Sequence, residues 1–338
     1  MKLNLTSIRL VLAMGVLSLA FVPAQALSKS EIDKALKEAH AQYKDLQEGK
    51  NADYIPALAK VPSKYFGIGL VTVDGQVSTT GDVDKEFSIQ SISKVFTMAQ
   101  VMQESGEDVV LNGVGVDATG QVFNSIVAVE QFKGHEMNAL VNPGAIATTS
   151  QVKGKNADEV WAKILAMHSD CAGRPLEVNA EVYKSESDTN QRNQAIGMLM
   201  YAYGLIKANP AQATDLYTRQ CSINVNAKDL AMMAATLANG GKNPVTQKQV
   251  IDQKHVAKIL AVMATAGLYD DSGKWLFMTG LPAKSGVGGG IIAVSPGKFG
   301  IAAFSPPLDA AGNSVRAQKA IMTISENLDG NPLNFKPK

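Results

Sequence analysis

The hydrophobic positions of this chain change period several times, and the changes divide it into elements. Ile32, Leu36, Ala39, Tyr43 and Leu46 form one apolar stripe at helical spacing, opened by Ser28-Lys29-Ser30-Glu31 and closed by Gly49. The opening has capping-box spacing, so an N-terminal helix packed along one side is predicted. Tyr54-Ile55-Pro56-Ala57-Leu58 reads as a connecting segment. FGIGLVTV (66–73), Asp74-Gly75 and QVSTT (76–80) predict a hairpin with a tight turn. Phe87 and Ile89 alternate, and from Ser91 the spacing turns helical, through Val95, Met98, Ala99 and Met102 to a stop at Gly106. Residues from about 107 to 265 are mainly helical in pattern, with candidates at 157–168, 188–206, 228–239 and 246–266. Strand character returns in KSGVGGGIIAV (284–294) and FGIAAFS (299–305), a second hairpin around Pro296-Gly297. A last helix runs from Asn313-Ser314 through Leu328, with Ala317, Ile321, Ile324 and Leu328 along one side.

This order predicts an α+β architecture. One antiparallel sheet is made from both chain ends, terminal helices cover one face, and a helical sub-domain of about 107–265 is inserted between. The Ser91 segment falls where sheet and insert meet.

The length, 338 residues, allows a large core, and 46% hydrophobic with 19% charged residues is ordinary globular composition. Residues 1–26 read as an export signal. Lys2 and Arg9 precede a 13-residue apolar run (10–22), and Ala24-Gln25-Ala26 supplies a small-x-small cleavage site. The mature chain, 27–338, is then expected to be a single catalytic domain, exported and periplasmic, with no membrane association after cleavage. Its near-neutral balance without a basic run gives no reason to propose nucleic acid as a partner. Cys171 and Cys221 lie 50 residues apart, and export permits a bridge whose geometry the sequence does not show. The four histidines are scattered, so no metal site is argued.

The candidate chemistry begins with Ser91 and Lys94, three residues apart on one predicted helix face. A serine hydroxyl is a weak nucleophile until a base takes its proton, and a lysine does so only where burial or a nearby cation lowers its pKa. Alone, the spacing reads more readily as a serine cap followed by a solvated lysine. Lys284-Ser285-Gly286 changes that balance. Ser-x-x-Lys placed early and Lys-Ser-Gly placed late, either side of a helical insert, is the arrangement of the serine β-lactamases and penicillin-binding proteins. The run from Ser285 to Gly290 contains four glycines, so backbone there can approach a substrate closely.

Along nearly all its mature length the chain also resembles the serine-dependent glutaminase family. The matching stretches are DYIPALA (53–59), FSIQSISKVF (87–96), LVNPGAIA (140–147), VYKSESDTNQRN (182–193), DLYTRQCSI (215–223), GLYDDSG (267–273), LPAKSGVGGGI (281–291) and FSPPLDAAGNSVR (304–316). The resemblance implies a β-lactamase/transpeptidase-like fold and hydrolysis of L-glutamine to glutamate and ammonia without cofactor or metal. It implies Ser91 as nucleophile, Lys94 as base and Tyr269 as proton shuttle, with Lys284 a supporting cation that keeps Lys94 neutral. Tyr54, Asn142, Glu186, Asn193, Tyr217 and Tyr269 would line the glutamine pocket, and the N–H groups of Ser91 and Val287 would form the oxyanion hole. A homo-oligomer, dimer or tetramer, is the implied assembly. Two departures stand out. Pro143 replaces the family's usual alanine, biasing Asn142 towards an extended conformation, and Ala266 and Leu268 replace a cysteine and a methionine. The competing readings are a β-lactamase or D-Ala-D-Ala carboxypeptidase, and a non-catalytic periplasmic binding module.

Overall fold

The computed structural model describes residues 27–132 and 137–334. The predicted export signal, 1–26, lies outside the described residues. Helix α1 (Lys29–Tyr43) begins at Ser28, whose side chain and Glu31 form the expected capping box. The connecting segment contains a short helix, α2 (Pro56–Ala59), with proline in its first turn, where a missing N–H costs nothing. Strands β1 (Gly67–Thr72) and β2 (Val77–Gly81) pair antiparallel around Gly75, which sits at φ +90. A short strand β3 (Phe87–Ser88) leads to a single 3-10 turn, Gln90–Ile92, and then to α3 (Ser93–Ser105), capped by Gly106. Ser91 therefore stands in the tight turn ahead of the α-helix, rather than at its cap as the pattern alone would allow.

The insert carries α4 (Asp108–Leu111), α5 (Ile126–Phe132), α6 (Asn142–Ser150), α7 (Ala157–Ala172), α8 (Ala180–Thr189), α9 (Gln191–Ala202), α10 (Pro210–Cys221), β4 (Asn224–Val225), α11 (Ala227–Ala238) and α12 (Gln253–Ala266). The helix expected over 188–206 is thus two, α8 and α9, and the first part of 246–266 is loop. There Asn243 Oδ1 accepts from the N–H groups of Val245 and Thr246, which gives those donors a partner outside a helix. After α13 (Ser272–Thr279) come β5 (Ala283–Gly286), β6 (Gly290–Ser295), β7 (Phe299–Phe304) and α14 (Val315–Asn327). The run read as one strand, 284–294, folds back at Val287–Gly289 into two, so the late hairpin is a three-stranded meander.

The main sheet has the order β2-β1-β7-β6-β5 and is antiparallel throughout, built from both chain ends. Strand alternation sorts its two faces. Ile68, Leu70, Ile291, Ala293, Ile301 and Ala303 pack with Ile32, Leu36, Ala317 and Ile321 of α1 and α14. Val71, Ile292, Val294, Ala302 and Phe304 point the other way, into the core shared with α11 and the insert. Glycine in β7 allows α11 to lie directly on the sheet: a Cβ on Gly300 would stand 2.0 Å from the Ala235 nitrogen. β5 closes the sheet beside the Gln90–Ile92 turn. A Cβ on Gly286 would come within 2.8 Å of the Ile89 carbonyl oxygen and 3.3 Å of Ser91 N. The sheet edge and the serine turn are thus held backbone to backbone.

Candidate active site

Ser91 and Lys94 are both buried at this junction, Lys94 almost completely. The Ser91 turn has an unusual backbone: Gln90, immediately before it, has φ +50, a conformation that costs a residue with a Cβ about 1 kcal/mol or more. The turn is held by Ser93, whose hydroxyl donates to the Gln90 carbonyl at 2.7 Å, and by the glycines of β5. Lys94 Nζ donates to Asn142 Oδ1 at 2.7 Å and to the Leu140 carbonyl at 3.4 Å, and lies 5.6 Å from the centre of the Tyr217 ring. Among the described residues it makes no ion pair. Burial accordingly pulls its pKa down to about 8, with Cys221 and Glu186 opposing.

Asn142 is the hub of the polar network. Its Oδ1 accepts from Lys94 and from the Tyr217 hydroxyl at 3.0 Å, and its Nδ2 donates to Asn193 Oδ1, also at 3.0 Å. The acceptor end is therefore shared by two donors, which fixes the amide orientation. Asn142 opens α6, where its N–H donates to the Phe123 carbonyl at 2.7 Å, and Pro143 occupies the first turn of that helix. The proline therefore does not force the expected extended conformation on Asn142. Its absent N–H falls where helix donors lack intrahelical partners.

Glu186 is the inward-facing polar residue of α8 and is buried. Gln90 Nε2 donates to its Oε2 at 3.2 Å. Burial raises its pKa to about 7, while the Gln90 hydrogen bond and Lys94 act against that rise. Lys284, on β5, is fully buried and donates from Nζ to the carbonyls of Ser285 at 2.7 Å and Gly267 at 3.0 Å. Its ammonium lies 4.3 Å from the centre of the Tyr269 ring. Burial first, then the charge of Lys94, holds its pKa well below the ordinary lysine value. Lys94 is shifted chiefly by its own burial, and repulsion between the two lysines, which acts on both, works in the same direction; Lys284 also lies against the Tyr269 ring.

Tyr269 follows α12 in a 3-10 turn with φ +53. Among the described residues its buried hydroxyl has no hydrogen-bond partner. Burial pushes its pKa up to about 12, and the Ser91 and Ser285 hydroxyls pull the other way. Val287 begins the β5–β6 turn and lines an open cleft of about 470 Å3 with Tyr54, Phe123 and the 308–312 segment. Tyr54 is half exposed at the mouth, whereas Tyr217 is buried. A strained serine turn, a buried lysine, a second buried lysine behind a tyrosine, and a cleft bordered by main chain form an arrangement suited to acyl transfer.

The profile of the glutaminase family matches residues 49–331. A glutaminase of Colwellia psychrerythraea is 51% identical over 91% of this chain and 99% of its own length. The chain belongs to the glutaminase family. A solved structure described as a probable glutaminase superposes with a TM-score of 0.90 at 45% identity, covering 91% of this chain and 100% of that one. Mglu in its glutamate form is 33% identical with a TM-score of 0.84, covering 91% of this chain and 70% of its own. The α+β architecture expected from the element order, and the β-lactamase-like fold the resemblance implied, are thus those of the glutaminases.

Of the residues the glutaminase resemblance implied, Ser91, Lys94, Asn142, Glu186, Asn193, Tyr217 and Tyr269 belong to one connected region. Lys284 approaches it from β5, Val287 from the β5–β6 turn and Tyr54 from the cleft mouth. Gln90 was missed: its side chain reaches Glu186, yet its only sequence signal is adjacency to Ser91. Phe123 was missed too. Its ring lies 4.9 Å from that of Tyr269 and its carbonyl receives Asn142 N–H, and nothing in the local pattern marks it. Cys171 and Cys221 are free, buried thiols, so the permitted bridge is not formed. Among the described residues no group of His, Cys, Asp and Glu is arranged to hold a metal ion.

Proposed function

We propose that this protein is an exported L-glutamine amidohydrolase in which Ser91 is the nucleophile and Lys94 its base. The observation that carries this reading is Lys94: buried, unpaired by any carboxylate among the described residues, one turn from Ser91, and held by the same asparagine that binds Tyr217 and Asn193. Ser91 Oγ attacks the side-chain amide carbon of glutamine as Lys94 accepts its proton. The oxyanion is received by the N–H groups of Ser91 and Val287. The proton passes by way of Tyr269 to the leaving nitrogen, ammonia departs, and a γ-glutamyl ester remains on Ser91. Water, deprotonated by the same lysine, then releases glutamate. Glu186 takes the substrate α-ammonium, while Asn142, Asn193 and Tyr217 hold its α-carboxylate and amide. Tyr54 closes the mouth. Lys284, over the Tyr269 ring, favours the transient tyrosinate during the shuttle.

Ser91→Ala tests the assignment. It should abolish ammonia release from L-glutamine and leave thermal unfolding nearly unchanged. Retained turnover would withdraw the nucleophile role. Lys94→Arg should be nearly as damaging as Lys94→Ala, because a guanidinium keeps the charge but accepts no proton. A large rescue by arginine would assign Lys94 to electrostatic support. Ammonia release by the unaltered protein also separates the reading from a non-catalytic binding module.

Export rests on residues 1–26, and it predicts a mature protein that begins at Leu27. Intact mass of the periplasmic fraction checks this, and a retained leader there would contradict it. A homo-oligomer is part of the proposal, and Met198, Tyr201 and Phe277, the last 88% exposed, are apolar side chains that it could cover. Light scattering fixes its size.

A further inference from the structure

Tyr269 is a bulky residue at φ +53, a conformation that persists only where its surroundings over-determine it. The flanking main chain is indeed held from several sides. Lys284 Nζ and Ser285 N donate to the Gly267 carbonyl at 3.0 and 3.1 Å. Ser272 Oγ accepts from Leu268 N at 3.0 Å and donates to the Tyr269 carbonyl at 2.8 Å. Asn313 Nδ2 donates to the Leu268 carbonyl at 3.3 Å. Ser272 is local to the turn and Lys284 and Ser285 belong to β5. Asn313 arrives from a separate segment, the turn at 309–313.

That turn is itself built firmly. Asp309 Oδ1 accepts from the N–H groups of Ala311 at 3.0 Å and Asn313 at 2.9 Å, and Asp309 Oδ2 accepts from Gln318 at 2.7 Å. Gly312, at φ +95, lies against the site: a Cβ there would be 3.6 Å from the Tyr269 ring and 3.7 Å from the Val287 side chain.

The amide of Asn313 carries the decisive detail. The residue is fully buried, and among the described residues its Oδ1 has no partner. Flipping the amide would set that oxygen against the Leu268 carbonyl, acceptor against acceptor, so the donor end is fixed by chemistry. An apolar side chain of the same shape would leave no acceptor unpaired. What asparagine supplies at this position is the N–H donated to Leu268.

We propose that Asn313 is a positioning residue for Tyr269, its side-chain amide fixing the left-handed turn that presents the tyrosine hydroxyl to Ser91. The proposal rests on the proton-shuttle reading of Tyr269. None of the partners assigned to the substrate α-groups is touched by Asn313, so its loss should act on kcat and spare KM.

The test is a double-mutant cycle of Asn313→Leu with Tyr269→Phe, following kcat, KM and thermal unfolding. Asn313→Leu alone should lower kcat about tenfold or more, the scale of a misplaced catalytic group. KM and the unfolding temperature should stay near those of the unaltered protein. In the Tyr269→Phe background the same change should cost almost nothing further in kcat. Unchanged kcat in the single variant, or an equal loss in both backgrounds, would overturn the proposal. Full kcat in Tyr269→Phe alone would overturn the shuttle reading and the proposal with it. Should Asn313→Leu not fold, Asn313→Ala, which also removes the donor, is scored by the same criteria.

Discussion

Lys94 shows at the scale of one residue what the site demands of the fold. Its pKa is lowered from 10.5 to about 8, chiefly by burial, so the folded protein favours the neutral amine more than the unfolded chain does. Between those two values the unfolded chain binds more protons, and stability therefore rises with pH across that window. Below it the cost of a buried ammonium is fully present. Lys94→Met should abolish activity and yet raise stability at pH 7 by about 1–3 kcal/mol, an effect urea unfolding reads directly. A destabilised variant would mean that the Asn142 contact outweighs desolvation. The same shift sets the direction of the rate profile. In the proposed mechanism neutral Lys94 is the acting form and ionised Glu186, raised to about 7, the binding form, so kcat/KM should rise as pH passes through about 7 to 8. Because the two groups act on each other, the apparent values belong to the pair. A profile flat through that window would contradict the base assignment.

Secondary elements matter here mainly through what their glycines permit. Gly300→Ala should cost several kcal/mol, since the new Cβ would meet the main chain of α11 at 2.0 Å and neither element can yield cheaply. Gly286→Ala is the functional counterpart. Its Cβ presses on Ile89 and Ser91 main chain, so kcat should fall sharply in a protein that still folds. Retained kcat would show that the serine turn does not depend on close contact with β5. The elements that were legible in the sequence are those with punctuation and a stripe: α1 with its capping box, the β1–β2 hairpin with Asp74-Gly75, and α14 with its apolar side. α6 and α10 were not, because NPGAIATTS is small and buried all round and PAQATDLYTRQC is polar by composition although much of it is buried. β5 was hidden for a different reason. In a run with four glycines no apolar alternation separates strand from turn, and only pairing with β6 sets the boundary. Site residues were legible where a spaced motif carried them, as Ser91, Lys94 and Lys284 were. Gln90, Phe123 and Asn313 act through contacts made by distant segments, which no local pattern encodes.

The molecule as a whole places a rigid sheet edge on one side of the reacting centre and the helical insert on the other. Ser91 and Val287 come from the sheet side, while Glu186, Asn142, Asn193 and Tyr217 come from the insert. With the proposed roles of these residues, substrate length would be measured between two parts of the fold. L-Asparagine, one methylene shorter, should leave its carbonyl roughly 1 Å or more from Ser91 once its α-groups are anchored, a displacement that costs on the order of a hundredfold in rate. Values of kcat/KM within about tenfold of those for L-glutamine would remove Glu186, Asn142 and Asn193 from the anchoring role. The central claim, covalent catalysis by Ser91, is tested most directly by trapping. Rapid acid quench of the enzyme turning over L-glutamine, followed by peptide mass mapping, should find a γ-glutamyl ester on the peptide holding Ser91 and none in Ser91→Ala. An adduct on another residue, or turnover of L-glutamine by Ser91→Ala at the unaltered rate, would contradict it.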